Sequence, residues 1–342
     1  MRRLPVYLLV DTSESTVGTG HDSVEKGIQQ LIRALRKDPY ALETAWISII
    51  SFDRTARVVV PLTELTEFTA VPKLDLQPGT SLGAALELLR DRIASEVVRT
   101  TMAKKGDWRP LVFILTDGEP TDEWAEAFRN LRACKPKPAN IYAIGCGDDV
   151  NLEMLQEISD FAFKLHGQTD DELGANLKKL FVWLSASIAS ASRGADDNAS
   201  PLEKTPEGID LIDDDYRPDW KTTYPRNLFL HAMCPTAKKK SLVRFTFDGA
   251  KYGEVKTFPL EDNFRFHGGG AAPAIPTELI DALPICPHCG GFQGLSCPRC
   301  GCILCVKEPI PEQLECPNCH NVAGLDLSSD GPSLDSIRGS AG

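Results

Sequence analysis

LPVYLLVDTSEST, residues 4–16, carries seven almost wholly apolar positions into an acid and a string of hydroxyls. So short and so apolar a run reads as a strand buried on both faces, and such strands belong to parallel sheets covered by helices. Its polar end cannot be left dry, because burying an unsatisfied carboxylate or hydroxyl is costly. Asp11, Ser13 and Ser15 therefore either cap a helix or hold an ion.

Outward from this stretch the strand signal recurs in AWISIISF (45–52), PLVFILT (110–116) and NIYAIGC (140–146). Segments of helical period lie between and after these runs, at Val24 to Arg36, Leu82 to Ile93, Glu123 to Ala133, after Asn151, and from Asp170 to about Ser190. The alternation predicts an α/β fold over residues 1–192 with a doubly wound, mostly parallel sheet. RVVVPL (57–62) follows closely enough to form a hairpin and predicts one antiparallel edge strand. Residues 193–226 lose the apolar period and gain Asp196, Asp197, Asp213, Asp214 and Asp215, the pattern of an acidic linker. A small β segment is expected over 227–266, a Gly- and Pro-rich linker over 267–276, a cysteine-rich module over 277–326 and a flexible tail over 327–342.

Composition narrows the classes of function. The chain has 342 residues and a formal net charge of -11, which argues against nonspecific binding to nucleic acid or to an anionic membrane. Leu177 to Ser192 is interrupted by Lys178, Lys179 and serines, short of the roughly 20 apolar residues a membrane span needs. Arg2 and Arg3 precede a short strand and not the long apolar core of an export signal, which leads to the expectation of a cytoplasmic protein.

Three polar clusters fall where a doubly wound sheet collects ligands, outside the carboxyl ends of its strands. They are Asp11 to Ser15, Pro78 to Ser81 ahead of a long helix, and Thr116 to Glu119 after PLVFILT. Asp11, Ser13, Ser15, Thr80 and Asp117 offer hard oxygen ligands, suited to Mg²⁺ or Mn²⁺. Neutral hydroxyls leave such a site short of negative charge, so it would accept a further carboxylate from a partner. DTSES, the threonine of PGTSLGAAL, and LTDGEPTD together resemble the metal-ion-dependent adhesion site of von Willebrand factor A domains. The resemblance implies that Ser13, Ser15 and Thr80 bind the cation directly, and that Asp11 and Asp117 do so directly or through water. Glu14, Glu119 and Asp122 match no ligand position of that family.

The chain has eleven cysteines. Eight of them crowd into four CxxC pairs, Cys286/Cys289, Cys297/Cys300, Cys302/Cys305 and Cys316/Cys319. Two intervening residues let both sulfurs of a pair reach one tetrahedral ion, and Gly290 or Gly301 lets the backbone turn beneath them. Eight thiolates suffice for two Zn²⁺ ions, and so small an apolar content makes the metal the source of folding energy. Cys302 lies only two residues beyond Cys300, which leaves one zinc or two open, and leaves open whether His288 or His320 substitutes for it. Cys134, Cys146 and Cys234 are scattered and read as small buried residues or free thiols.

An A domain followed by a small β segment and a cysteine-rich end resembles the TerY-type proteins associated with tellurium resistance and bacterial stress response. That resemblance implies a noncatalytic adaptor or regulator whose associates are a protein kinase and a metal-dependent protein phosphatase. Two alternatives compete with it. A Mg²⁺-dependent phosphohydrolase would want a second acid two residues after Asp11, where Ser13 stands. A nucleic-acid-binding zinc ribbon would want a basic face, whereas residues 277–325 hold only Arg299 and Lys307 against five acids.

Overall fold

The computed structural model describes residues 2–16, 19–68, 71–101, 105–147, 150–167, 169–193, 204–212, 227–247, 250–261, 264, 275–276, 279–280, 284–297, 299–300, 302–307, 313–324, 336–337 and 340–341. The chain divides into two units, Met1–Arg217 and Pro218–Gly342.

In the first unit the elements follow in order β1 (Leu4–Asp11), α1 (Thr19–Leu35), α2 (Pro39–Thr44), β2 (Ala45–Phe52), β3 (Ala56–Glu64), α3 (Leu82–Glu96), β4 (Leu111–Thr116), α4 (Ala125–Ala133), β5 (Asn140–Cys146), α5 (Leu152–Glu157), β6 (Phe161–Leu165), α6 (Asp170–Arg193) and β7 (Ile209–Ile212). They build a seven-stranded sheet in the order β3-β2-β1-β4-β5-β6-β7. The five inner strands are parallel, and β3 is the expected antiparallel edge. Every residue of β1 is buried, as its unbroken apolar run requires. The two-residue alternation of a strand then feeds two cores. Val6, Leu8 and Val10 pack with α1 and α6 through Ile28, Leu31, Leu180 and Leu184. Tyr7 and Leu9 pack with α3 and α4 through Leu86, Leu89 and Leu131.

The sheet has a second antiparallel edge. β7 pairs with β6, Leu165 opposite Ile209, and it lies inside the stretch 193–226 read above as an acidic linker. Four residues, IDLI, with only Ile209 and Ile212 turned inward, give too short a pattern to stand out against acidic flanks. β6 and α2 escape a sequence reading for the same reason of brevity. In α2 the signal is a capping one: Pro39 opens the helix, and Asp38 accepts from Tyr40 N and Ala41 N at 3.0 Å each. Asp196, Asp197 and Asp213 to Asp215 lie outside the described residues.

The second unit contains β8 (Asn227–Cys234), β9 (Lys239–Phe247), β10 (Tyr252–Pro259), β11 (Ile275–Pro276), β12 (Phe292–Ser296), β13 (Ile303–Val306), β14 (Gln313–Glu315), β15 (Val322–Gly324), β16 (Ser336–Ile337) and β17 (Ser340–Ala341). β8, β9 and β10 form the expected antiparallel meander. The division between a β segment and a cysteine-rich module does not hold as two separate bodies. β13 runs parallel to β8 at Ala232 and Met233, and Ile303 joins Leu230, Val243, Phe245 and Tyr252 in one core. The short β11, read within the second linker, pairs with β16, and β17 pairs with β8, so both strands of the expected flexible tail find partners. Most of the stretch 267–276 lies outside the described residues. Among the described residues no helix is long and apolar enough to cross a membrane.

Candidate metal centres

β1 and β4 are neighbours in the sheet and end side by side, so the residues just beyond them meet. Asp11 closes β1, is 4% exposed, and accepts from Thr116 Oγ1 (2.6 Å) and from Ser13 N (2.9 Å). The second bond folds the chain into a tight turn, continued by a 3-10 turn at Glu14–Thr16. That turn sets Ser13 Oγ 2.8 Å from Ser15 Oγ, and Ser15 Oγ donates to Asp117 Oδ1 at 2.7 Å across 102 residues of sequence. Thr80, 5% exposed, precedes α3 and completes the group. A Cβ added to Gly118 would stand 3.4 Å from Thr80 Oγ1 and 3.7 Å from Ser15 Oγ, so the missing side chain keeps a small space open between the two hydroxyls.

All five oxygen-bearing residues singled out in the sequence thus converge. Three hydroxyls and two carboxylates are a hard donor set, and they fit Mg²⁺ or Mn²⁺ better than a soft metal. Burial pushes the Asp11 carboxyl up to about 6, against the hydrogen bonds from Thr116 and Ser13 and with Asp53 nearby adding to the rise. A cation beside it would favour the ionised form. The phosphohydrolase alternative gains nothing from this geometry, since Ser13 fills the place of the second acid.

The cysteines form two groups, and within each all four sulfurs lie within 4.8 Å of one another. The first is Cys234, Cys286, Cys289 and Cys305; the second is Cys297, Cys300, Cys316 and Cys319. Sulfur separations of 3.4 Å (Cys289 to Cys305), 3.5 Å (Cys297 to Cys319) and 3.7 Å (Cys300 to Cys316) approach the ~3.8 Å edge of a ZnS₄ tetrahedron with bonds of ~2.3 Å. Both groups therefore fit Zn²⁺. The knuckles are built as the spacing requires. Gly290 N donates to Cys286 O at 2.9 Å with Gly290 at φ 72°, and His320 N donates to Cys316 O at 2.8 Å with His320 at φ 57°.

Two ligand expectations change. Cys302 belongs to neither group. It is 3% exposed in the core beside the second group, where burial and the surrounding thiols push its own thiol up. Its replacement is neither histidine. His288 Nε2 faces Lys240 O at 3.1 Å, and His320 Nδ1 pairs with Glu315 Oε1 at 3.0 Å, with its side chain 78% exposed. The eighth sulfur of the two groups is that of Cys234, read above as a small buried residue or free thiol. It ends β8 in a tight turn, where its carbonyl accepts from Lys238 N (2.8 Å) and its sulfur from Ala237 N (3.3 Å). A cysteine at the start of a hairpin turn was the available signal, half a knuckle without its CxxC partner. In the second group, burial raises the Cys300 thiol, but the opposing bonds from Asn318 and Cys302 N prevail and bring it down to about 7.

A von Willebrand factor type A domain model matches residues 6–176, and a TerY-C metal binding domain model matches residues 227–341. No curated protein matches the chain. Among solved structures, the ArnB paralog VWA2 from Sulfolobus acidocaldarius shares 16% identity over 52% of this chain and 45% of its own, with a TM-score of 0.39. A von Willebrand factor type A protein from Catenulispora acidiphila shares 18% over 54% and 43%, also at 0.39. Proximal thread matrix protein 1 from the mussel byssus, with a zinc occupied MIDAS motif, shares 17% over 54% and 48%, at 0.38. The chain thus spans less than half the length of each of these three. With both domain models matched in order, the chain belongs to the TerY-type von Willebrand factor A proteins with a C-terminal metal-binding module.

Proposed function

We propose that the protein is a noncatalytic adaptor or regulator whose first unit grips an acidic residue of a partner protein through a divalent cation. Ser13, Ser15 and Thr80 would hold Mg²⁺ or Mn²⁺, with Asp11 and Asp117 bound directly or through water. When bound, the cation supplies a coordination position for a carboxylate oxygen. The observation that carries this reading is the chain Ser13–Ser15–Asp117, two hydrogen bonds that gather neutral hydroxyls around one carboxylate at the carboxyl edge of the sheet. Hydroxyls contribute no charge, so the partner's Asp or Glu completes both the coordination shell and the charge balance. Thr116 and the Ser13 amide orient the buried Asp11. Two Zn²⁺ ions would hold the second unit folded, making it a second contact surface on the same chain, and two modest contacts add avidity.

The partner class that the TerY resemblance implies is a protein kinase or a metal-dependent protein phosphatase, in a stress or tellurium-resistance system of the cytoplasm. The test is capture from native lysate by the wild type and by Asp11→Ala, each with and without Mg²⁺, with bound proteins identified by mass spectrometry. A kinase or phosphatase retained only by wild type with Mg²⁺ supports the proposal, and equal recovery in all four lanes refutes cation gating.

A further inference from the structure

The loop that carries Asp117 continues onto the start of α3, where Thr80 sits. Thr121 N donates to Thr80 O (2.8 Å) and Thr121 Oγ1 accepts from Thr80 N (3.0 Å), a reciprocal pair between residues 41 apart. One residue further on, Asp122 Oδ1 accepts from Gly83 N and Asp122 Oδ2 from Ala84 N, both at 2.9 Å. α3 has no side-chain cap of its own: Ser81, at the cap position, donates to Arg54 O at 2.8 Å instead. Its Gly83 and Ala84 amides are therefore satisfied from the other loop, and a carboxylate there is favoured by the helix dipole. The approach is close enough to demand glycine, since a Cβ on Gly83 would lie 2.4 Å from Glu123 O. Both Asp122 oxygens are aimed at amides, consistent with its absence from the family's ligand positions.

We infer that Thr121 and Asp122 are positioning residues that lock the Thr80 loop and the Asp117 loop into one rigid body. Thr80 and Asp117 are then presented to a cation together, and the Asp11–Ser13–Ser15 turn meets that body where Ser15 Oγ donates to Asp117. This inference rests on the proposed reading of the five oxygen-bearing residues as a cation site.

The test uses the full zinc-loaded chain, with Mn²⁺ affinity read by electron paramagnetic resonance and loop stability by amide hydrogen exchange. Asp122→Ala weakens Mn²⁺ binding about tenfold, on the order expected for coupling within one hydrogen-bond network. Asp122→Asn, which keeps one acceptor oxygen, falls between it and wild type. In a Thr80→Ala background, Asp122→Ala weakens binding by less than tenfold, because the share of its effect that passes through the Thr80 hydroxyl is already lost. Fully additive losses in that cycle overturn the inference and leave Asp122 an ordinary helix cap. Exchange separates this question from the cation reading. Asp122→Ala deprotects amides 82–84 and 117–121 together, whereas loss of protection in α3 alone overturns the coupling. Equal Mn²⁺ binding by wild type and Asp11→Ala refutes the cation site itself, and the exchange result then decides the coupling.

Discussion

Replacing Cys234 by Ser should weaken one of the two zinc sites, and replacing Cys302 by Ala should weaken neither. Cys234 is fully buried, and its sulfur lies within 4.8 Å of those of Cys286, Cys289 and Cys305. A structural Zn²⁺ site contributes about 10–16 kcal/mol, so one ligand in four accounts for about 3 kcal/mol, roughly a hundredfold in zinc affinity. The damage extends beyond the site, because Cys234 joins the end of β8 to the knuckle at Cys286 and to β13. Cys302 faces apolar and sulfur neighbours, and trimming it to Ala removes one buried atom, about 1 kcal/mol of stability. Zinc per chain, counted by native mass spectrometry and titrated against a chelator of known affinity, should read two sites of wild-type affinity for Cys302→Ala, and one wild-type site with one about a hundredfold weaker for Cys234→Ser. A count of one for Cys302→Ala, or two at wild-type affinity for Cys234→Ser, refutes the assignment.

Other outcomes follow from packing and charge. A Cβ on Gly27 would lie 2.0 Å from Phe181 Cδ2 where α1 packs on α6, so Gly27→Ala should destabilise the first unit by about 1–3 kcal/mol through overpacking. An unchanged melting temperature would show that Phe181 can turn aside at little cost. His21 is held below its ordinary 6.5 by burial, against the pull of Glu25 and Asp22. The unfolded chain therefore takes up the proton first, so the stability tied to neutral His21 is complete above about pH 6.5 and declines as pH falls below it. Melting temperatures from pH 7.5 to 5 should fall less steeply for His21→Leu than for wild type, and parallel curves would exclude the effect.

The sheet was legible in the sequence where strands are long and buried on both faces, as in β1, β2, β4 and β5. It was not legible in β7, whose four residues carry only two inward side chains between acidic stretches, nor in the pairing of β13 with β8, which joins residues some 70 apart. The oxygen-bearing cluster was readable because each of its residues follows a strand or precedes a helix in the order that a doubly wound sheet imposes. Its supports were hidden, since Thr121 and Asp122 act on backbone amides of a different loop and no local spacing announces that. The cysteine clusters were readable as CxxC pairs, but pairing depends on which turns the sheet brings together. Cys302 completes a perfect local motif and yet is replaced by Cys234, whose turn ends the neighbouring strand β8.

On the proposed reading, hydroxyls and carboxylates from three loops enclose a hard cation with a position left for an outside acid. Crystals soaked with Mn²⁺ and acetate, measured for anomalous scattering, test it directly. The expected result is a peak bonded to Ser13 Oγ, Ser15 Oγ and Thr80 Oγ1, with an acetate oxygen in the open position. No peak there, with the Ser15 to Asp117 hydrogen bond intact, would contradict it.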